Sequence, residues 1–245
     1  MKICRIKFEG AELTGHIEVD HIILEGNNDG TRRVHIDEVD FLPPTKPSKI
    51  VCVGRNYADH AAELGNEVPK EPLLFLKAPS ALTEAGAPII IPKFSEQVEH
   101  EAELAIVIGT ECKNLSDDED PFKYVLGYTT LNDVTARDLQ KKDGQFARAK
   151  SFDSFCPIGR YIETEFDWRD AGVRCVVNGD VRQNGRTSQM VFSVPFLIRY
   201  VSNMMTLFPG DIIATGTPSG VSKLNLGDVC EIWIDGLDPL INPVA

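Results

Sequence analysis

Eleven residues, Glu99 to Gly109, constrain this chain more than any others: Glu-His-Glu-Ala-Glu-Leu-Ala-Ile-Val-Ile-Gly. A cluster of carboxylates gives way to an apolar, β-branched run closed by Gly109, the pattern of a buried strand entered from a polar site. Successive strand side chains point to opposite faces, so Glu101 and Glu103 share a face while Ala102 and Leu104 pack behind them. Side by side the two carboxylates repel, and a divalent cation with oxygen ligands is the leading means of neutralising them. The plainer alternative is an edge strand whose carboxylates face water, as charge runs commonly do.

A hydrophobic fraction of 42% over 245 residues is ample for a substantial core. With 25 Lys and Arg against 37 Asp and Glu, the formal charge is −12, which argues against general nucleic-acid or anionic-membrane binding. An anionic substrate must then find its counter-charge locally, from a metal and a few basic residues. Cys4, Cys52, Cys112, Cys156, Cys175 and Cys230 are scattered without a C-x-x-C pair, so neither a disulfide framework nor a zinc site is expected. Reduced thiols in a cytoplasmic protein fit that spacing. The same location is expected from an N-terminus that mixes Lys2, Arg5, Lys7 and Glu9 with apolar residues and lacks a signal-peptide h-region. No apolar run reaches membrane-spanning length. The P-loop, the H-E-x-x-H zinc motif, the G-x-S-x-G elbow and the G-x-G-x-x-G fingerprint are all missing.

Residues 1–45 alternate short apolar groups with turn clusters such as Gly26-Asn27-Asn28-Asp29-Gly30, which predicts a small β-rich N-terminal segment. Pro43, Pro44 and Pro47 mark a boundary, and residues 46–245 form the main domain. Ile50 to Val53 reads as a buried strand, Tyr57 to Leu64 as a short helix stopped by Gly65-Asn66, and Leu73 to Lys77 as another strand. On that helix His60 and Glu63 share a face three residues apart, a spacing that more often marks an ordinary surface pair. A strand to Leu131 delivers Asn132 and Asp133 at its end, ahead of a helix over Thr135 to Lys141. Asp133 is a plausible third carboxylate, with a helix N-cap or turn aspartate as the competing reading. Lys141 to Arg148 reads as a loop, and the surroundings of Lys150 decide nothing about it. Asn178-Gly179 between alternating runs predicts a type I′ hairpin, and Pro195 to Met205 carries a helical apolar stripe suited to core packing.

Five of these stretches occur together in one order: Val53-Gly54-Arg55-Asn56-Tyr57-Ala58-Asp59-His60, Glu101-Ala102-Glu103-Leu104, Asn132 to Asp138, Lys150-Ser151-Phe152-Asp153, and Thr215 to Val221. In this the chain resembles the fumarylacetoacetate hydrolase superfamily, in particular its acylpyruvase, oxaloacetate decarboxylase and dienedioate isomerase branch. The resemblance implies an α+β, predominantly β fold: a mixed β-roll with short flanking helices, usually as a homodimer. It implies Mg²⁺ or Mn²⁺ on Glu101, Glu103 and Asp133, but places no ligand at Glu99. It further implies that Glu63 orients His60 as the base for a water, and that Lys150 offsets the excess negative charge and acts with them. Arg55, Gln140 and Thr217 become substrate contacts by the same comparison. The implied activity is on small anionic 2-oxo acids through a metal-stabilised enolate, with hydrolysis of an acylpyruvate first. Oxaloacetate decarboxylation or isomerisation of 2-hydroxyhepta-2,4-diene-1,7-dioate is the alternative, and a catalytically silent metal-binding protein on the same scaffold a remote one. Residues 1–45 carry no matching motif and no assigned role.

Overall fold

The structure is a computed structural model that describes residues 1–25 and 31–245. The turn cluster expected at Gly26-Asn27-Asn28-Asp29-Gly30 lies outside the described residues. The chain is mainly strand, with four short α-helices among the described residues, and so has the α+β, predominantly β character expected of it. No helix there is long and apolar enough to cross a membrane.

The carboxylate strand, Ala102–Ile108, runs through the interior of an eleven-stranded sheet between Val125–Asn132, antiparallel, and Ile212–Ala214, also antiparallel. All seven of its residues are buried, because the opposite face of the sheet region is covered by a second sheet of four strands. A strand covered on both faces carries a continuous apolar run, which is why Ala105 to Ile108 do not alternate with polar residues. Ile212–Ala214 in turn pairs in parallel with Ile50–Gly54, making the sheet mixed, and Leu73–Lys77 closes that end. At the other end Lys2–Phe8 pairs with Tyr161–Glu163, so the N-terminal strands extend the same sheet.

Three local departures from the sequence expectation shape the site. Glu99 to Gly109 is not one unbroken strand: Val98–Glu99 pairs with Thr135–Ala136, and the strand is interrupted at His100-Glu101 before Ala102–Ile108 begins. Side chains cause the break, since the Glu101 N–H donates to Asn132 Oδ1 (3.0 Å) and the Ala102 N–H to Gln183 Oε1 (3.0 Å). Thr135 and Ala136 are accordingly in strand, and the helix starts at Arg137. That helix runs past Lys141 to Asp143 and ends at Gly144 in the left-handed conformation (φ 68°), and Ala147–Lys150 forms another helical turn. The polar composition of Lys141 to Arg148 reflects an exposed helix face and its glycine C-cap, where a loop was expected.

The hairpin is as expected: Val177 pairs with Asp180 across Asn178 (φ 53°) and Gly179 (φ 86°), the double positive φ of a type I′ turn. Its second strand, Asp180–Arg186, lies at one edge of the four-stranded sheet and sends Gln183 into the interior. All six cysteines are buried free thiols.

Candidate active site

Backbone hydrogen bonds bring the acidic residues together. The Asp133 N–H donates to the Glu101 carbonyl (2.9 Å) where Val125–Asn132 ends beside the start of the carboxylate strand. Glu103 stands further along, its Oε2 accepting the Gly216 N–H (2.8 Å). Gly216 is required there: at φ 95° a Cβ would lie 2.7 Å from Asn56 Cβ and 3.0 Å from the Val53 carbonyl oxygen. Glu101, Glu103 and Asp133 each offer a carboxylate oxygen within 4.8 Å of the others, and all three side chains are buried. Burial disposes of the solvated-strand alternative. Asp133 is no helix cap either, since the N-cap position belongs to Ala136.

Three buried cations surround the acids. Lys150 Nζ lies 2.9 Å from Glu101 Oε2 and 2.6 Å from Asp133 Oδ2. Lys77 Nζ donates to Asp133 Oδ1 (2.6 Å) and to the Val134 carbonyl (3.1 Å). Arg137 spans Glu99 (Nε to Oε2, 2.7 Å), Glu101 (Nη2 to Oε1) and Gln140 (Nη1 to Oε1, 2.6 Å). With Glu99 included, four buried carboxylates face three buried cations, leaving one net negative charge when all four are ionised. A divalent ion would reverse that sign and make the site receptive to an anion.

The residues fit such an ion. Their donor set is all oxygen, which suits a hard cation. Burial, then the nearby charges of Asp133 and Glu101, push the Glu103 carboxyl well above its usual range. Glu103 thus marks the carboxylate whose charge the protein's own cations do not balance. For Glu101 burial acts in the same upward direction, but Lys150 and Arg137 outweigh it and hold that carboxyl far below the ordinary value. Burial also works against the Lys150 ammonium, yet Asp133 and Glu101 raise its pKa, so it remains charged.

A cavity of about 340 Å³ opens over this cluster. Arg55, His60, Glu101, Glu103, Asp133, Gln140, Lys150 and Thr217 all line it, with an apolar wall that includes Leu73, Phe75 and Phe146. His60 lies on the helix Ala58–Glu63, buried, its Nδ1 3.3 Å from Glu63 Oε2. Glu63 stands behind His60 and does not line the cavity; it also accepts the Gly220 N–H at 3.0 and 3.1 Å. Arg55 follows the strand Ile50–Gly54 at φ 59°, a strained conformation for a non-glycine residue, of a kind that concentrates at functional sites. The Gln140 amide oxygen is engaged by Arg137. The Thr217 hydroxyl donates to the Ala102 carbonyl (2.8 Å) and accepts from Gln183 (2.7 Å), which leaves that hydroxyl no proton for a ligand.

Lys77 and Arg137 were not singled out from the sequence. Nothing in the sequence marks Lys77: it shares a strand face with Leu73 and Phe75, but only the fold shows that those two line the cavity. Replacing Lys77 by Met should destabilise the metal-free protein by about 3–5 kcal/mol, the cost of breaking a buried ion pair from one side. Urea denaturation checks this, and an unchanged midpoint would mean that Lys150 alone satisfies Asp133.

The architecture so far defines a class: a mainly β protein with a buried cluster of three carboxylates that could hold a cation, and a histidine paired with a carboxylate, on one cavity. Residues 49–245 match the family described as "Fumarylacetoacetate (FAA) hydrolase C-terminal", and the chain belongs to that family of enzymes. It is 46% identical over 217 residues to a mitochondrial oxaloacetate tautomerase of Xenopus laevis, covering 84% of this chain and 68% of the relative. It is likewise 46% identical over 197 residues to a mitochondrial oxaloacetate decarboxylase of Dictyostelium discoideum, covering 78% and 90%. A solved structure of 5-carboxymethyl-2-hydroxymuconate delta-isomerase from Mycobacterium smegmatis superimposes with a TM-score of 0.91 at 41% identity, covering 100% of this chain and 98% of that one.

Proposed function

We propose that the protein is a divalent-metal-dependent enzyme of small 2-oxo acids, using Mg²⁺ or Mn²⁺, in which His60 moves a proton on the keto–enol system of the substrate. One observation carries this reading: His60, tied to Glu63, lines the same cavity as the buried cluster of Glu101, Glu103 and Asp133. Those three carboxylates would hold the ion, which supplies Lewis-acid charge to a chelating 2-oxo carboxylate. Because Glu63 can only accept when ionised, it holds the proton on His60 Nδ1 and leaves Nε2 as the basic nitrogen. Lys150, kept charged by Asp133 and Glu101, donates a hydrogen bond to negative charge and is not a base at neutral pH. Arg137 and Lys77 hold Glu101 and Asp133 in place. Arg55 and Gln140 stand on the cavity wall where the remainder of the substrate would lie.

Tautomerisation or decarboxylation of oxaloacetate comes first among the outcomes, supported by the names of the two relatives. Isomerisation of a dienedioate is the same proton movement on a longer conjugated acid. Hydrolysis of an acylpyruvate, foremost in the sequence reading, is the second reading, favoured by a carboxylate-oriented histidine suited to activating water. The deciding experiment follows enol absorbance and pyruvate release from oxaloacetate, acetylpyruvate and 2-hydroxyhepta-2,4-diene-1,7-dioate, with Mg²⁺ and with chelator. Loss of enol absorbance from oxaloacetate only with Mg²⁺ supports the first reading, and pyruvate from acetylpyruvate the second. Equal rates with chelator present would overturn both.

A further inference from the structure

Gln183 touches neither the cavity nor the acidic cluster, yet every hydrogen-bonding position of its buried amide is used on residues that flank them. Oε1 accepts from the Ala102 N–H (3.0 Å) and lies 2.9 Å from His100 Nδ1, while Nε2 donates to Thr217 Oγ1 (2.7 Å) and to the Pro218 carbonyl (2.7 Å). The amide cannot be turned over. A backbone N–H only donates and a carbonyl only accepts, so Ala102 and Pro218 fix which end is oxygen and which is nitrogen. His100 must then carry its proton on Nδ1, with Nε2 facing the Ser222 hydroxyl at 2.9 Å.

The partners fall into two groups. Ala102 and His100 belong to the chain that bears Glu101 and Glu103. Thr217 and Pro218 open the segment that reaches Gly220, whose N–H binds Glu63 behind His60. Thr217 closes the loop by donating to the Ala102 carbonyl. A Cβ at Gly220 (φ 101°) would fall 2.0 Å from the Arg182 carbonyl oxygen, so this segment also packs directly against the residue preceding Gln183. One side chain from the edge hairpin thereby spans the metal-side strand and the base-side loop.

We propose that Gln183 is a positioning residue, holding the Thr217–Gly220 segment against the carboxylate strand and so setting where Glu63 and His60 stand relative to the acidic cluster. The proposal rests on His60 acting as the base. Gln183→Glu separates the two groups: a carboxylate still accepts from Ala102 and His100 but has nothing to donate to Thr217 or Pro218. In Gln183→Glu the amides of residues 216–222 should exchange about 10-fold faster, and the NMR titration of His60 should shift, while Mn²⁺ affinity changes less than about threefold. Turnover should fall by up to about 10-fold, and less than about threefold further when Gln183→Glu is added to Glu63→Gln, because the two act on one path. Gln183→Met, which keeps the volume, serves in the same cycle if the buried carboxylate prevents folding. Unchanged amide exchange and an unchanged His60 titration would overturn the proposal, as would additive effects in the cycle. If the wild type turns over none of the 2-oxo acids, the proposed activity falls, and the exchange and His60 measurements still decide whether Gln183 couples the two sides.

Discussion

Glu103→Gln is expected to weaken Mg²⁺ binding by on the order of 100-fold or more, and at the same time to stabilise the protein when no metal is present. Both effects come from one cause. Glu103 is buried, and the carboxylates of Asp133 and Glu101 repel it, so its folded pKa stands well above the ordinary value of 4.5. Between that value and the raised folded pKa the native state binds the extra proton, and stability therefore falls as pH rises through the interval. Glu101 has the opposite sign: Lys150 and Arg137 overcome its burial and depress its pKa, so its contribution is present above 4.5 and is lost as pH falls toward its folded pKa. A neutral amide at position 103 removes the first penalty and leaves the second contribution intact. Thermal melts at neutral pH, with chelator and with Mg²⁺, check this directly. The wild type should melt lower than the variant in chelator and gain more from Mg²⁺. Equal Mg²⁺ gains in the two proteins would remove Glu103 from the ligand set.

The same residues show what the sequence could and could not reveal. The Glu-x-Glu spacing ahead of an apolar run exposed the carboxylate strand, because strand periodicity is local and needs no partner to be seen. Asp133 was visible for the same reason, at the end of a second strand. The interruption at His100-Glu101 is hidden, since the side chains that take the Glu101 and Ala102 N–H groups, Asn132 and Gln183, lie 31 and 81 residues away. Lys77 and Arg137 carry no spacing signal of their own: a lysine ending an apolar strand looks like a solvated terminus until the fold places Asp133 within 2.6 Å of it. Thr217 is the converse case. Its motif invites a substrate contact and it lines the cavity, but the proton of its hydroxyl is given to the Ala102 carbonyl, which no local pattern reveals.

For His60→Ala the expected result is a fall in proton-transfer turnover of roughly 10²–10⁴-fold, the range for loss of a positioned general base, with Mg²⁺ affinity essentially unchanged. Among the basic side chains that line the cavity with it, Lys150 is locked as an ammonium by Asp133 and Glu101, and Arg55 and Arg137 do not give up protons. Glu63→Gln should have a smaller effect, about 10-fold, because an amide still accepts from His60 but no longer stabilises the imidazolium. The chemistries respond differently to losing His60. Tautomerisation and acylpyruvate hydrolysis both need a base and should fall together, whereas loss of CO₂ from oxaloacetate breaks its bond without removing a proton from carbon. A His60→Ala protein that still releases CO₂ at the wild-type rate while enol conversion collapses would identify Glu101, Glu103, Asp133 and Lys150 as sufficient for decarboxylation. If both rates survive, His60 is no base, and the cavity does its work through positive charge alone.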